Sequence, residues 1–184
     1  MNLRHGASGT IGASLILLLG ACTSTEPSQP PTSSSAAMTT SVVPQPADQA
    51  KEGAVAAYLG MWSDMADAAV TSDWQSPKLA LNATADALSR ISRGLYADHY
   101  NGLVTKGKPI NHPTVESVEP AAAPTTVNIV DCGDDSPWLK YRVDTGQRAD
   151  DGPSGRRHID AKVKKAVDGS WKVVDFAIQD VGTC

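Results

Sequence analysis

The sequence predicts an α+β domain over residues 47–184, with its helices first and an antiparallel sheet after them. Three observations point there. Apolar residues recur at three- and four-residue steps between Val55 and Leu95. From Thr114 onward they alternate singly with polar ones. Near the end, Asp168-Gly169 sits between two strand-like runs, the pattern of a hairpin turn. The hydrophobic period switches only once, from helical to extended, so helices and strands are segregated along the chain.

The first helix is expected to begin at Pro46, whose fixed φ suits a first turn. Val55, Tyr58, Leu59, Trp62, Met65, Ala66 and Ala69 form its apolar stripe, and Gly60 weakens it without ending it. Pro77 punctuates the break that follows. A second helix is predicted from about Leu79 to Leu95, with Ala80, Ala83, Ala87, Leu88, Ile91 and Leu95 on its apolar face and Gly94 near its C-terminal end. "YADHYNGLVTKGKPINHP" reads as a last turn of helix followed by loop, with Asn101-Gly102 as a turn signal.

Strands are expected at "TVESVE", "TTVNIVDC" and "PWLKYRVDT", with "DCGDDSP" and "GQRADDGPSG" as loops. Closing a two-residue turn at Asp168-Gly169 pairs Val167 with Ser170. Val163 then faces Val174, Ala161 faces Phe176 and Ile159 faces Ile178 on one side, while Lys162 meets Asp175 on the other.

Residues 1–21 carry the parts of an export signal. Arg4 supplies positive charge, and the apolar run centred on Leu15–Leu19 is about ten residues long. As a helix it would span ~15 Å, half of a ~30 Å bilayer core, and no other run is apolar enough to cross. The run ends in Leu19-Gly20-Ala21-Cys22, which resembles the lipobox of bacterial lipoproteins. That resemblance implies a diacylglyceryl group on the Cys22 sulfur and cleavage before Cys22. Two acyl chains hold a protein stably on a membrane where one does not. The expected location is therefore the outer face of the cytoplasmic membrane, anchored by lipid. The Ser/Thr/Pro-rich segment 23–46 is expected to be a disordered linker with a reach of ~25–30 Å.

The chain has three cysteines, an odd number for an exported protein. Lipidation of Cys22 leaves Cys132 and Cys184, which are predicted to form a disulfide closing a loop of about 52 residues.

The helices-first order with a long closing hairpin resembles the nuclear transport factor 2-like (SnoaL-like) superfamily over about residues 48–182. The resemblance implies a curved, cone-like sheet wrapped around a helix. "GRRHIDAKVKKAVDGSWKVVDFAIQDVGTC" and "GLVTKGKPINHPTVESV" are also similar to secreted and lipid-anchored proteins of high-GC Gram-positive bacteria. The superfamily hosts many activities, so the fold alone does not select one.

The residues offer little catalytic chemistry. His99, His112 and His158 have no metal-ligand spacing, and the pairs Asp134-Asp135 and Asp150-Asp151 do not match a calcium loop. No metal or cofactor is expected. The cluster of Arg156, Arg157, Lys162, Lys164 and Lys165 stands in a chain of net charge −4 and alternates with apolar residues, so a solvated sheet face is expected rather than nucleic-acid binding. Enzymes of the cone fold place an Asp or His inside the cone as a general acid or base. Here His158 and Asp160 share the strand parity opposite to Ile159 and Ala161, which turns them outward unless a bulge near Gly155 intervenes. The residues expected to line a pocket, if the cone is hollow, are Tyr58, Trp62, Trp138, Trp171 and Phe176. Core packing is the competing reading for such aromatics. The function expected is a non-catalytic binding or scaffolding module at the cell surface, with a cell-envelope protein as candidate partner. The alternative is a small-molecule carrier or isomerase- or cyclase-type enzyme using an internal cavity.

Overall fold

The computed structural model describes residues 45–149 and 152–184. The export signal, Cys22, the linker up to residue 44 and the Asp150-Asp151 pair lie outside the described residues. No described helix is long and apolar enough to cross a membrane.

Helix α1 runs Pro46–Ala69 with Pro46 in its first turn and Asp48 near its N-terminus, where a negative charge suits the helix dipole. Its buried face is built from Ala50, Ala54, Ala57, Tyr58, Met61 and Trp62. Leu59, predicted for the stripe, is 40% exposed. Gly60 has a tertiary reason: a Cβ there would sit 2.5 Å from the Asn82 side chain, which hydrogen-bonds Asp64 at 2.8 Å.

The single helix expected over Leu79–Leu95 is two. Helix α2 is the short Leu79–Asn82, and helix α3 is Ala85–Tyr100. Between them Ala83 and Thr84 are extended, because Ala83 bridges to Val173 in the closing hairpin and the Thr84 N–H donates to the Val173 carbonyl at 2.9 Å. Helical periodicity continues through the break, so only the long-range pairing marks it.

The strands form two antiparallel sheets rather than one closed wrap. Strands β1 (Leu103–Lys106) and β4 (Leu139–Arg142) pair with each other. β2 (Thr114–Glu119), β3 (Thr126–Asp134), β5 (Arg156–Lys165) and β6 (Trp171–Ile178) make a four-stranded sheet in the order β2-β3-β5-β6. β1 occupies a stretch predicted to be loop. β3 runs past the predicted strand end at Cys132 through Gly133 to Asp134, which were predicted as loop, while β4 is shorter than the run "PWLKYRVDT". Val127, Ile129, Ile159, Ala161, Val163, Val173 and Phe176 point from the sheet into a core closed by α1, Leu79, Ala87, Ile91 and Leu95.

The β5–β6 pairs Ile159↔Ile178, Ala161↔Phe176 and Lys162↔Asp175 are those expected. Beyond them the register shifts, and Val163 pairs with Val173 instead of Val174. The turn is accordingly longer. Ala166 pairs with Ser170 through N–H donation at 2.7 Å, and its carbonyl accepts from the Gly169 N–H at 3.0 Å, leaving Val167, Asp168 and Gly169 as a three-residue loop. The predicted Val167–Ser170 pair does not form. Val173 and Phe176 are both buried although three residues apart, which an unbulged strand cannot arrange on one face. β2 uses the same device: its irregularity between Val115 and Ser117 lets Val115 and Val118 both pack on the core.

Candidate functional site

Two features compete for the site, a closed polar clasp and an open pocket beside it. The clasp centres on Asp131, whose side chain points inward because it shares the parity of Val127 and Ile129 on β3. Asp131 is 3% exposed. Its Oδ2 accepts from the Tyr58 hydroxyl at 2.9 Å and from Asn111 Nδ2 at 2.7 Å, and its Oδ1 accepts from the His112 backbone N–H at 2.7 Å. Burial first, and then the Asp131 charge, push the Tyr58 phenol well above its ordinary range, so it stays a neutral donor. The sequence reading missed Asp131 and Asn111. Strand parity was the available signal for Asp131, since Ile129 and Val127 face the core two and four residues earlier.

Four of the five residues predicted to line a pocket meet at one hub. The Trp62 ring packs edge-to-face against Tyr58 at 6.2 Å, Trp138 at 6.2 Å and Phe176 at 5.7 Å, in the arrangement aromatic quadrupoles favour. Tyr58, Trp62 and Phe176 are buried there and fill the space they were expected to surround. Trp171 stands apart. It lies against Gly53, which leaves room for the indole, and borders an open hollow beside Pro46 and Lys165.

Trp138 serves both hub and pocket. With Met65 and Ala69 from α1 and Leu95 from α3 it makes the apolar floor of a cavity of about 280 Å³. Its polar wall is supplied by Asp98 from α3, Thr105 from β1, Asp135, and Lys140 from β4. Asp98 Oδ1 and Lys140 Nζ are 2.9 Å apart, with side chains 14% and 32% exposed. Asp135 accepts from Arg157 Nε at 2.8 Å and from the Gly155 N–H, which ties the loop before β5. Gly94 borders this cavity in the middle of α3, not at its end. Asp98, Lys140 and Thr105 were not singled out from sequence, because they come from three elements and carry no shared spacing.

The remaining polar residues are dispersed. His158 and Asp160 lie on the face away from buried Ile159 and Ala161 and bond each other at 3.1 Å. Asp134 is turned to the Ser136 hydroxyl and N–H, which hold its carboxyl below the usual range. Among the described residues no three His, Cys, Asp or Glu side chains are grouped to hold a metal ion. Cys132 and Cys184 are joined by a disulfide with Cα atoms 5.9 Å apart, as predicted.

No family model matches the chain, and no curated protein matches it. Solved structures do. A protein from Catenulispora acidiphila aligns at TM-score 0.45 and 14% identity, over 71% of this chain and 94% of that one. A protein of unknown function with a cystatin-like fold from Nostoc punctiforme aligns at TM-score 0.41 and 10% identity, over 68% and 90%. A ketosteroid isomerase-like protein from Erwinia carotovora atroseptica aligns at TM-score 0.40 and 11% identity, over 68% and 91%. The chain is an α+β domain whose helices cover one face of its four-stranded antiparallel sheet.

Proposed function

We propose that this protein is a lipid-anchored module on the outer face of the cytoplasmic membrane that binds a ligand without transforming it. One observation carries the choice of binding over catalysis. The buried carboxylate Asp131 is committed to three internal donors, while the carboxylates beside the open pocket are each held by a cation, Asp98 by Lys140 and Asp135 by Arg157. Groups so engaged orient and recognise, whereas a general base needs a lone pair aimed at substrate. The Cys132–Cys184 bond supports an oxidising compartment, and Cys22 in its lipobox-like setting supports the anchor.

The anchor is tested by growing cells with labelled palmitate and fractionating them. Label in the parent chain, with Cys22→Ala unlabelled and released from membranes, is the expected result. Equal fractionation of the two would remove the anchor from this account. Binding is tested by native mass spectrometry of the chain purified from membranes. A small molecule retained in the folded protein, recovered chemically unchanged after incubation, is expected; conversion of that molecule would make the protein an enzyme.

A further inference from the structure

We propose that the end of the domain where the chain arrives from Cys22 is a lipid-docking face. Val167 and residues 120–123 enter the headgroup layer of a phospholipid bilayer, and Lys165 meets its phosphates. The inference rests on the reading of the protein as membrane-anchored and says how the domain sits on that membrane.

Three segments meet at this end. The Lys165 N–H donates to the Thr125 carbonyl at 2.9 Å, which sets the turn between β2 and β3 beside the turn between β5 and β6. Both border a hollow of about 430 Å³ that is also lined by Pro46, the first residue of α1. The chain leading from Cys22 therefore joins the domain beside the two turns. Only 23 residues separate Cys22 from Pro46. An anchored Cys22 would hold this face near lipid at a local concentration on the order of millimolar, so a weak contact suffices.

The two turns are apolar where solvent-facing turns are usually polar. Residues 120–123 are Pro-Ala-Ala-Ala, all exposed, and Val167 at the hairpin tip is fully exposed. Ala166, Asp168, Gly169 and Ser170 close that hairpin turn among themselves, so the fold does not call for a valine there. One step back along the strands stand Lys164 and Lys165, neither with a carboxylate partner among the described residues, and the half-buried indole of Trp171. An apolar tip followed by indole and ammonium groups matches a bilayer surface read outward from the acyl boundary. The carboxylates nearby are engaged: Asp48 by Lys51 at 3.0 Å, Asp168 by Ser170, and Glu119 by the Ser117 hydroxyl at 3.3 Å. With both signs of charge present, the apolar tip sets the affinity.

The test is hydrogen exchange of the full chain, purified from membranes and held singly in nanodiscs of phosphatidylcholine and phosphatidylglycerol. Among the described residues no hydrogen bond takes the N–H of Ala121, Ala122 or Ala123, so in water these amides exchange freely. Docking should slow them about tenfold relative to Val167→Asp, whose charged tip is expelled from the headgroup layer, while exchange in β5 stays the same in both. Brominated lipid should quench the indole added by Val167→Trp and not the one added by Tyr100→Trp. Tyr100 is the control because Ser72, just past α1, bonds the Leu103 carbonyl at 2.6 Å, which puts the end of α3 at the far end of a helix ~36 Å long. Equal exchange in the parent and Val167→Asp, or equal quenching of the two indoles, overturns the proposal. So does slowing that appears without lipid as the chain is concentrated, which would mean that a second copy covers the face. The mass of the Cys22 peptide from the same sample separates the two readings. Free exchange in an acylated chain removes the docking and leaves the anchor; slowed exchange in a chain without acyl groups removes the anchor and leaves the docking.

Discussion

Asp131 accepts hydrogen bonds from Tyr58 on α1 and from the Asn111 side chain and His112 N–H in the segment before β2, so one carboxyl ties both to β3. Removing it strands three donors, whereas removing the phenol hydroxyl strands none and frees one acceptor site. Asp131→Ala should therefore cost about 3–5 kcal/mol and Tyr58→Phe only about 1–3 kcal/mol, read from urea midpoints at constant slope. The same pair sets an alkaline limit. Tyr58 keeps its proton in the fold well above the pH at which the unfolded phenol loses it, so above pH ~10 the unfolded state binds fewer protons. Stability should then fall by about 1.4 kcal/mol per pH unit from this group. Chemical unfolding between pH 9 and 11 should show stability falling progressively more steeply towards that slope in the parent, and less steeply in Tyr58→Phe.

At the scale of elements, the β5–β6 hairpin is fastened at its turn. Asp168 Oδ1 accepts from the Ser170 hydroxyl at 2.6 Å and from its N–H at 2.9 Å, contacts that hold the Asp168 carboxyl below its ordinary range. Gly169 has φ +86°, where a side chain is strained. Gly169→Ala should destabilise by about 1 kcal/mol, and Gly94→Ala on α3 should stabilise by about 0.5–1 kcal/mol, because only the first position needs glycine's conformation. Thermal melts of the two variants shifting in the same direction would contradict this contrast. Much of the hairpin was legible: apolar alternation and the Lys162–Asp175 pair fixed its outer register. The bulge was not, because apolar residues three apart in a strand read as a break in alternation until both are known to be buried.

For the whole molecule, the Cys132–Cys184 bond joins the C-terminal part of β3 to the last residue. The tail is already laid along β5, with the Gln179 N–H donating to His158 at 2.9 Å and the Gly182 N–H to Arg156 at 2.8 Å. The bond therefore stabilises chiefly by restricting the unfolded chain, with an upper value of about 4 kcal/mol for a loop of 52 residues. Replacing both cysteines by serine should lower the free energy of unfolding, read from urea titration, by up to that amount while leaving the sheet signature in circular dichroism intact. Loss of the sheet on reduction would mean that the bond also organises β3. The pocket belongs to this scale as well, since its floor and ion pair come from α1, α3, β4 and the turn before it.

What the sequence determined by itself is local or nearly so: the stripe on α1, the parity of β3 and β5, the outward turn of His158 and Asp160, the closing hairpin and, by elimination, the cysteine pair. Periodicity and residue chemistry act over a few positions, and one chain carries them wherever it goes. Only the tertiary structure decided the break at Ala83, the bulges in β2 and β6, the pairing of β1 with β4, and the meeting of Asp98 with Lys140. Each depends on which distant surface lies opposite, and burial there outweighs the local preference of the residues involved.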